Sequence, residues 1–215
     1  MKPLVVLRAE PAAITTAARE SAMGLEVRII PLFEVAPVEW SAPKASRFDG
    51  LVLTSANAVR HGGPQLAALK RLPVHAVGAA TAAAAREAGF TIASIGGGSS
   101  QDMDLPGDKR LLHLTGRDHV GTGAAETISV YAAQPIDSPK GIDALAGSVV
   151  AVHSPRAGSR LAELVKSRSR IAIAAISPAA ASACGGGWEQ VHAAPMPNEE
   201  TLLALAARLC ESPPR

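Results

Sequence analysis

The 215 residues are 47% hydrophobic but only 3% aromatic, so the interior has to be assembled from Ala, Val, Leu and Ile, and the length suits two lobes of about 100 residues each. Lysine and arginine (21) barely outnumber aspartate and glutamate (19) and are interspersed with them; a formal charge of +2 without a basic stripe argues against nucleic acid as a partner. No run of about 18 apolar residues occurs, and Arg8 and Glu10 break the short apolar start, so neither a membrane span nor a secretory leader is expected and a cytoplasmic protein is predicted.

Short β-rich runs alternate with Ala-rich helical stretches, the pattern of parallel strands joined by crossover helices. Strands are predicted at 4–7, 26–30, 51–54, 74–77, 91–95, 111–114, 127–131, 149–153, 171–175 and 190–193. Between the first two, Pro11 suits the first turn of a helix and Gly24 its C-terminal stop. Cys184 and Cys210 stand far apart with no CxxC pair and are read as free thiols.

An internal repeat organises these elements. LVLTSANAVR, with Ser55, resembles VVAVHSPRAG, with Ser154; HAVGAATAAAAREAG, with Gly78, resembles AAISPAAASACGGG, with Ser177; both pairs are 99 residues apart (55 to 154, 78 to 177). LVVLR followed by LEVRIIP then takes in one lobe the part that LLHLTGR and TISVYAAQP take in the other. The expected architecture is therefore α/β, with two similar flavodoxin-like parallel-sheet lobes joined by a two-stranded β hinge. Lobe one is discontinuous (1–35 plus 138–215) and lobe two continuous (36–137), with Pro37, Pro43, Pro135 and Pro139 at the crossings.

In doubly wound sheets ligands gather beyond the carboxyl ends of the strands, where loops enter helix N-termini. Thr54, Ser55 and Asn57 follow one predicted strand, Gly78 and Thr81 the next, then Gly96, Gly97, Gly98, Ser99 and Ser100; Thr115, Gly116, Arg117 and Asp118, Ser154 and Arg156, and Ser177 follow others. Small residues let backbone N–H groups approach an anion, which the helix dipole also favours. Two such sets in a cleft between the lobes would hold a polycarboxylate. The ordinary reading of Ser55, Ser154 and Ser177 is N-capping, which is compatible with ligand contact. The glycines at 96–98 lack dinucleotide spacing and read as a flexible turn. The six histidines show no HExxH or paired-ligand spacing, so no metal is assigned; His75, His113, His153 and His192 fall in predicted strands, where a satisfied or partly exposed imidazole is ordinary. No GxSxG elbow occurs. Tyr131, the sole tyrosine, ends a predicted strand next to the hinge, where it is either structural or a proton donor. Arg117 either grips a carboxylate at two points or pairs with Asp118.

With these loops in place the chain resembles the uroporphyrinogen-III synthase family. The carriers are LRAEP, GLEVRIIPLFEV, LVLTSANAV, VHAVGAATAAAAREAGF, LTGRD, TISVYAA, VVAVHSP, IAAISPAAASA and VHAAPMPNEETLLALAARL, in order and nearly end to end. The resemblance implies two α/β lobes joined by a β-ladder and a lyase acting on hydroxymethylbilane. Loss of the ring A hydroxyl gives an azafulvene cation that attacks the substituted carbon of ring D; a spiro intermediate then fragments and recloses with ring D inverted. It implies no cofactor and no metal; separately, charge and hydropathy give no expectation of a nucleic acid or membrane partner, and with no long amphipathic face or large apolar patch a monomer is the default. By position, Tyr131 matches the family's V-Y tyrosine and is the candidate to assist hydroxyl departure, while Thr81 matches the threonine of a VG-x-x-T loop. Ser55 and Asn57 match the loop after the first strand of one lobe, Ser154 its counterpart, and Thr115, Gly116 and Arg117 an RGR-like turn. With Gly78 and Ser177 these make the substrate-binding set.

Two departures stand out. Where the family often has GPTTA this chain has Ser177, Pro178, Ala179, Ala180 and Ala181, and segments 100–109 and 118–126 are too short for full crossover helices. They leave room for a rival reading, a two-lobed small-molecule binding or sensory protein without turnover. A flavodoxin-like interaction module ranks last, because so few aromatics argue against flavin stacking.

Overall fold

A computed structural model describes residues 1–10, 12–22, 24–98, 103–119, 121–124 and 126–211; Pro11, Ser99 and Ser100 lie outside them. In chain order the elements are β1 (Leu4–Val6), α1 (Ala12–Ala22), β2 (Val27–Ile29), β3 (Phe33–Pro37), β4 (Gly50–Leu53), α2 (Ala56–His61), β5 (Val74–Ala76), α3 (Ala79–Glu87), β6 (Ile92–Ile95), β7 (Leu111–Gly116) and β8 (Glu126–Pro135). There follow β9 (Val149–Val152), α4 (Pro155–Leu164), β10 (Ala172–Ala175), α5 (Pro178–Ala183), β11 (Gln190–Ala193) and α6 (Glu199–Glu211). The chain divides into two units, Met1–Glu34 with Pro135–Arg215, and Val35–Gln134.

The first unit carries the sheet β11-β10-β9-β1-β2, all neighbours parallel. Its three central strands are buried along their whole length, as parallel strands clad on both faces must be. Alternation sorts their side chains. Val5, Val150, Val152 and Ile173 join Leu161 of α4 and Ala180 of α5 in one core, while Leu4, Val6, Val149 and Ala151 join Ala13 of α1 and Leu202 of α6 in the other.

The second sheet runs β3-β8-β7-β4-β5-β6. From β8 to β6 it repeats the first sheet strand for strand, β4 answering β9, β5 answering β10 and β7 answering β1, as the permuted repeat predicts. Leu51, Leu53, Val74, Leu112 and Leu114 pack with Ala58 of α2 and Ala82 and Ala85 of α3. The described residues of the β6–β7 and β7–β8 connections contain no helix, and the sheet's other face is partly polar. His75 shares a hydrogen bond with Ser94 (2.8 Å), and the fully buried His113 with Thr54 (3.0 Å, through Nε2) and Thr122 (3.2 Å, through Nδ1). The loop carrying Thr122 and His119, whose ring meets His113 edge-on at 5.9 Å, does here what a crossover helix does in the first unit.

Two expectations shift. Tyr131 does not end its strand, because β8 continues to Pro135. Pro37 and Pro135 are the last residues of β3 and β8 rather than parts of linkers. The extra length pairs with β3 at the sheet edge: Val38 N–H donates to the Val130 carbonyl (3.2 Å) and Ile136 N–H to that of Leu32 (2.9 Å), so the two segments run in opposite directions. Both strands cross the boundary between the units.

Candidate functional site

In the second unit the predicted residues gather at the carboxyl ends of β4, β5 and β7. Ser55 caps α2, its hydroxyl accepting from the N–H of Asn57 (3.1 Å), and both side chains remain partly exposed. Gly78 occupies the N-cap of α3 in an extended conformation open to any residue; a Cβ there would rest 3.5 Å from the Cα of Gly98, an ordinary contact. Thr81, in the first turn of α3, is buried. At the end of β7, Thr115 is buried, Gly116 buried and Arg117 exposed. A Cβ on Gly116 would lie 2.7 Å from Cε2 and 2.8 Å from Cζ of Tyr131, so this glycine is where the tyrosine ring sits. Arg117 N–H donates to the Tyr131 carbonyl (3.0 Å). His61, the last residue of α2, holds its imidazole 6.2 Å from the tyrosine ring.

In the first unit Ser154 and Ser177 cap α4 and α5. Their hydroxyls accept from the N–H groups of Ala157 (3.1 Å) and Ala180 (3.2 Å), and a proline opens each helix. All three serines therefore cap, as the ordinary reading expects. Ala180, where the family often has a hydroxyl, is fully buried in the core, so its side chain faces packing rather than solvent.

Electrostatically the His113 ring is neutral: burial, assisted by His119, pushes its pKa down to about 4. Burial pushes the free thiols of Cys184 and Cys210 up to about 11, which keeps both protonated and unreactive. Among the described residues no three His, Cys, Asp or Glu side chains are grouped to hold a metal ion, and no helix is long and apolar enough to cross a membrane. The seat of Tyr131 escapes sequence reasoning: LTGRD reads as a turn, and nothing in it announces that the glycine makes room for a ring fifteen residues later. His61 gives no signal either.

The class is thus an α/β protein of two lobes, the five strands of one sheet matched in order by five of the six in the other, with small-residue loops at the carboxyl ends of both sheets. The sequence model of the family "Uroporphyrinogen-III synthase HemD" matches residues 15–204, and the chain belongs to that family. The fold is shared with uroporphyrinogen-III synthetase from Helicobacter pylori, at 18% sequence identity over 97% of this chain and 100% of that one, with a TM-score of 0.59. Uroporphyrinogen III synthase from the extremely thermophilic bacterium Thermus thermophilus is also 18% identical, over 97% of this chain and 96% of that one, with a TM-score of 0.44. No curated protein matches the chain.

Proposed function

We propose that this protein is a uroporphyrinogen-III synthase, a hydro-lyase that closes hydroxymethylbilane with loss of water and inversion of ring D. The observation that carries the reading is the family match over residues 15–204. In this reading Tyr131 hydrogen-bonds the departing ring A hydroxyl. The loops of Ser55 and Asn57, Gly78 and Thr81, Thr115 to Arg117, Ser154 and Ser177 hold the substrate's carboxylates. Left in water, the cation formed on hydroxyl loss closes head to tail into isomer I, so the enzyme's work is mainly to hold a reactive chain in the geometry that favours attack on the substituted carbon. The reaction is a dehydration and ring closure that neither adds nor removes electrons, so it calls for no redox cofactor, and we assign the working form as a cytoplasmic monomer without metal.

The test is to add the purified protein to freshly made hydroxymethylbilane and resolve the isomers of the oxidised product. Isomer III should dominate and rise with protein concentration. Isomer I dominating at high protein concentration would overturn the assignment in favour of a binding protein without turnover.

A further inference from the structure

Tyr131 is the only tyrosine of the chain, and three elements meet at its ring: its own β8, then β7 and α2. It lies within β8 at the level of Gly116 on β7, beside a register shift between Thr115 and Gly116. A methyl at Gly116 would come 2.7, 2.8 and 3.1 Å from Cε2, Cζ and Oη, where carbon contacts ordinarily settle at about 3.5–4.0 Å. The φ of Gly116 is not in the left-handed region, so the backbone makes no demand for glycine there. The ring makes it. Arg117, next along, ties its N–H to the Tyr131 carbonyl.

The third element is α2. Its six residues are too few to persist alone, and both ends are pinned. Ser55 caps the start. At the finish Trp40 Nε1–H donates to the Gly62 carbonyl (2.9 Å), and Gly62 sits so tightly that a Cβ would be 2.6 Å from the Ala58 carbonyl oxygen. His61 is therefore held in place, its imidazole tilted 40° to the Tyr131 ring at 6.2 Å, within the range of aromatic side-chain contacts.

We propose that His61 and Gly116 are positioning residues for the Tyr131 phenol: neither takes part in proton transfer, and together they set where the hydroxyl points. The inference deepens the synthase reading and rests on it. It also joins a proposed substrate loop to the proposed proton donor, because Ser55 and His61 stand at opposite ends of one short helix. Loss of either contact should lower the rate of the chemical step, since displacement by about 1 Å can cost on the order of 100-fold, and loss of the His61 contact should do so with substrate affinity left alone.

The sole tyrosine makes the test direct. Protein labelled with fluorotyrosine gives a single fluorine NMR environment, read without any turnover. His61→Leu and Gly116→Ala should each move or broaden that line and lower kcat by about tenfold or more, and in His61→Leu, which lies outside the proposed substrate loops, KM should be unchanged. His61→Phe, which keeps a ring, should restore both. Tyr131→Phe marks the floor in kcat. An unmoved line in His61→Leu, an unchanged kcat, or an equal loss in the Leu and Phe variants would overturn the proposal. Should Gly116→Ala fail to fold, the His61 pair decides alone. Wild-type protein that makes no isomer III would sink the synthase reading, while the fluorine line would still show whether His61 and Gly116 hold the ring.

Discussion

Lowering the pH from about 7.5 to about 5 perturbs this fold chiefly through His113 and His153; the buried His75, whose pKa burial and Lys109 also lower, adds in the same sense. His113 is fully buried between the hydroxyls of Thr54 and Thr122. His153, just beyond β9, has a side chain only 10% exposed; neither ring nitrogen makes a hydrogen bond, and Glu199 Oε1 stands 4.0 Å away. Burial, chiefly, holds both pKa values near 4 instead of 6.5; His119 adds to the depression of His113 and Arg8 to that of His153, while Glu199 and the Ala151 carbonyl oppose the latter. A depressed folded-state pKa means that between 6.5 and about 4 the unfolded chain takes up a proton the native one refuses. The stabilisation is complete above pH 6.5 and is lost as the pH falls towards 4. At pH 5 the loss is roughly 2 kcal/mol per ring, about 4 kcal/mol for the pair, against a typical total of about 5–15 kcal/mol.

Urea unfolding followed by far-UV circular dichroism at both pH values measures this, and two variants separate the rings. His153→Leu deletes nitrogens that make no hydrogen bond, so stability near neutrality should hold or rise while a large part of the acid loss disappears. His113→Leu also removes its share, but it strips the Thr54 and Thr122 hydroxyls of their imidazole and should cost about 1–3 kcal/mol near neutrality. Glu20 works in the opposite sense: burial raises its carboxyl pKa, so acid favours the fold there and Glu20→Gln should deepen the acid loss. Equal wild-type stability at both pH values, or a full acid loss persisting in the double histidine variant, would refute the reasoning.

Two further substitutions probe packing in the first unit. At Gly158 a Cβ would lie 2.8 Å from the Ala180 carbonyl oxygen and 3.1 Å from Cys184 Sγ, so Gly158→Ala must push α4 off α5; a loss of about 1–3 kcal/mol should lower the urea midpoint, and an unchanged midpoint would show the helices free to separate. Lys2 Nζ meets Glu189 Oε1 at 2.6 Å with side chains 8% and 14% exposed, so Lys2→Met should leave a mostly buried carboxylate unpaired and cost about 3 kcal/mol, which Lys2→Met with Glu189→Leu largely recovers. A silent single variant would show that the pair contributes nothing.

What was legible in the sequence was whatever depends on neighbours along the chain. A central parallel strand buried on both faces has to be apolar throughout, so VVAV at β9 and LVL in β4 could be read directly. A serine at a strand-to-helix junction has one ready hydrogen-bond partner, and Ser55, Ser154 and Ser177 all use it. The two-stranded hinge was legible from its paired crossings, but the bounds of β8 were not: Ala132 to Pro135 show no alternation and close on a proline, and what keeps them extended is pairing with β3, about a hundred residues earlier. His113 and His153 look alike in sequence, each near the end of an apolar run. One finds two hydroxyls, contributed from 59 and 9 residues away, and the other finds none.

That difference bears on how the two sheets are covered. A parallel sheet face needs burial and satisfied polar groups, and does not specify what supplies them. The first unit meets the requirement with helices on both faces. In the second, His75 and His113 stand on the face opposite α2 and α3, where Ser94, Thr54 and Thr122 supply their hydrogen bonds. The described residues of the β6–β7 and β7–β8 crossovers hold no helix, and the strand order, with the loops at the carboxyl ends, still matches that of the first sheet.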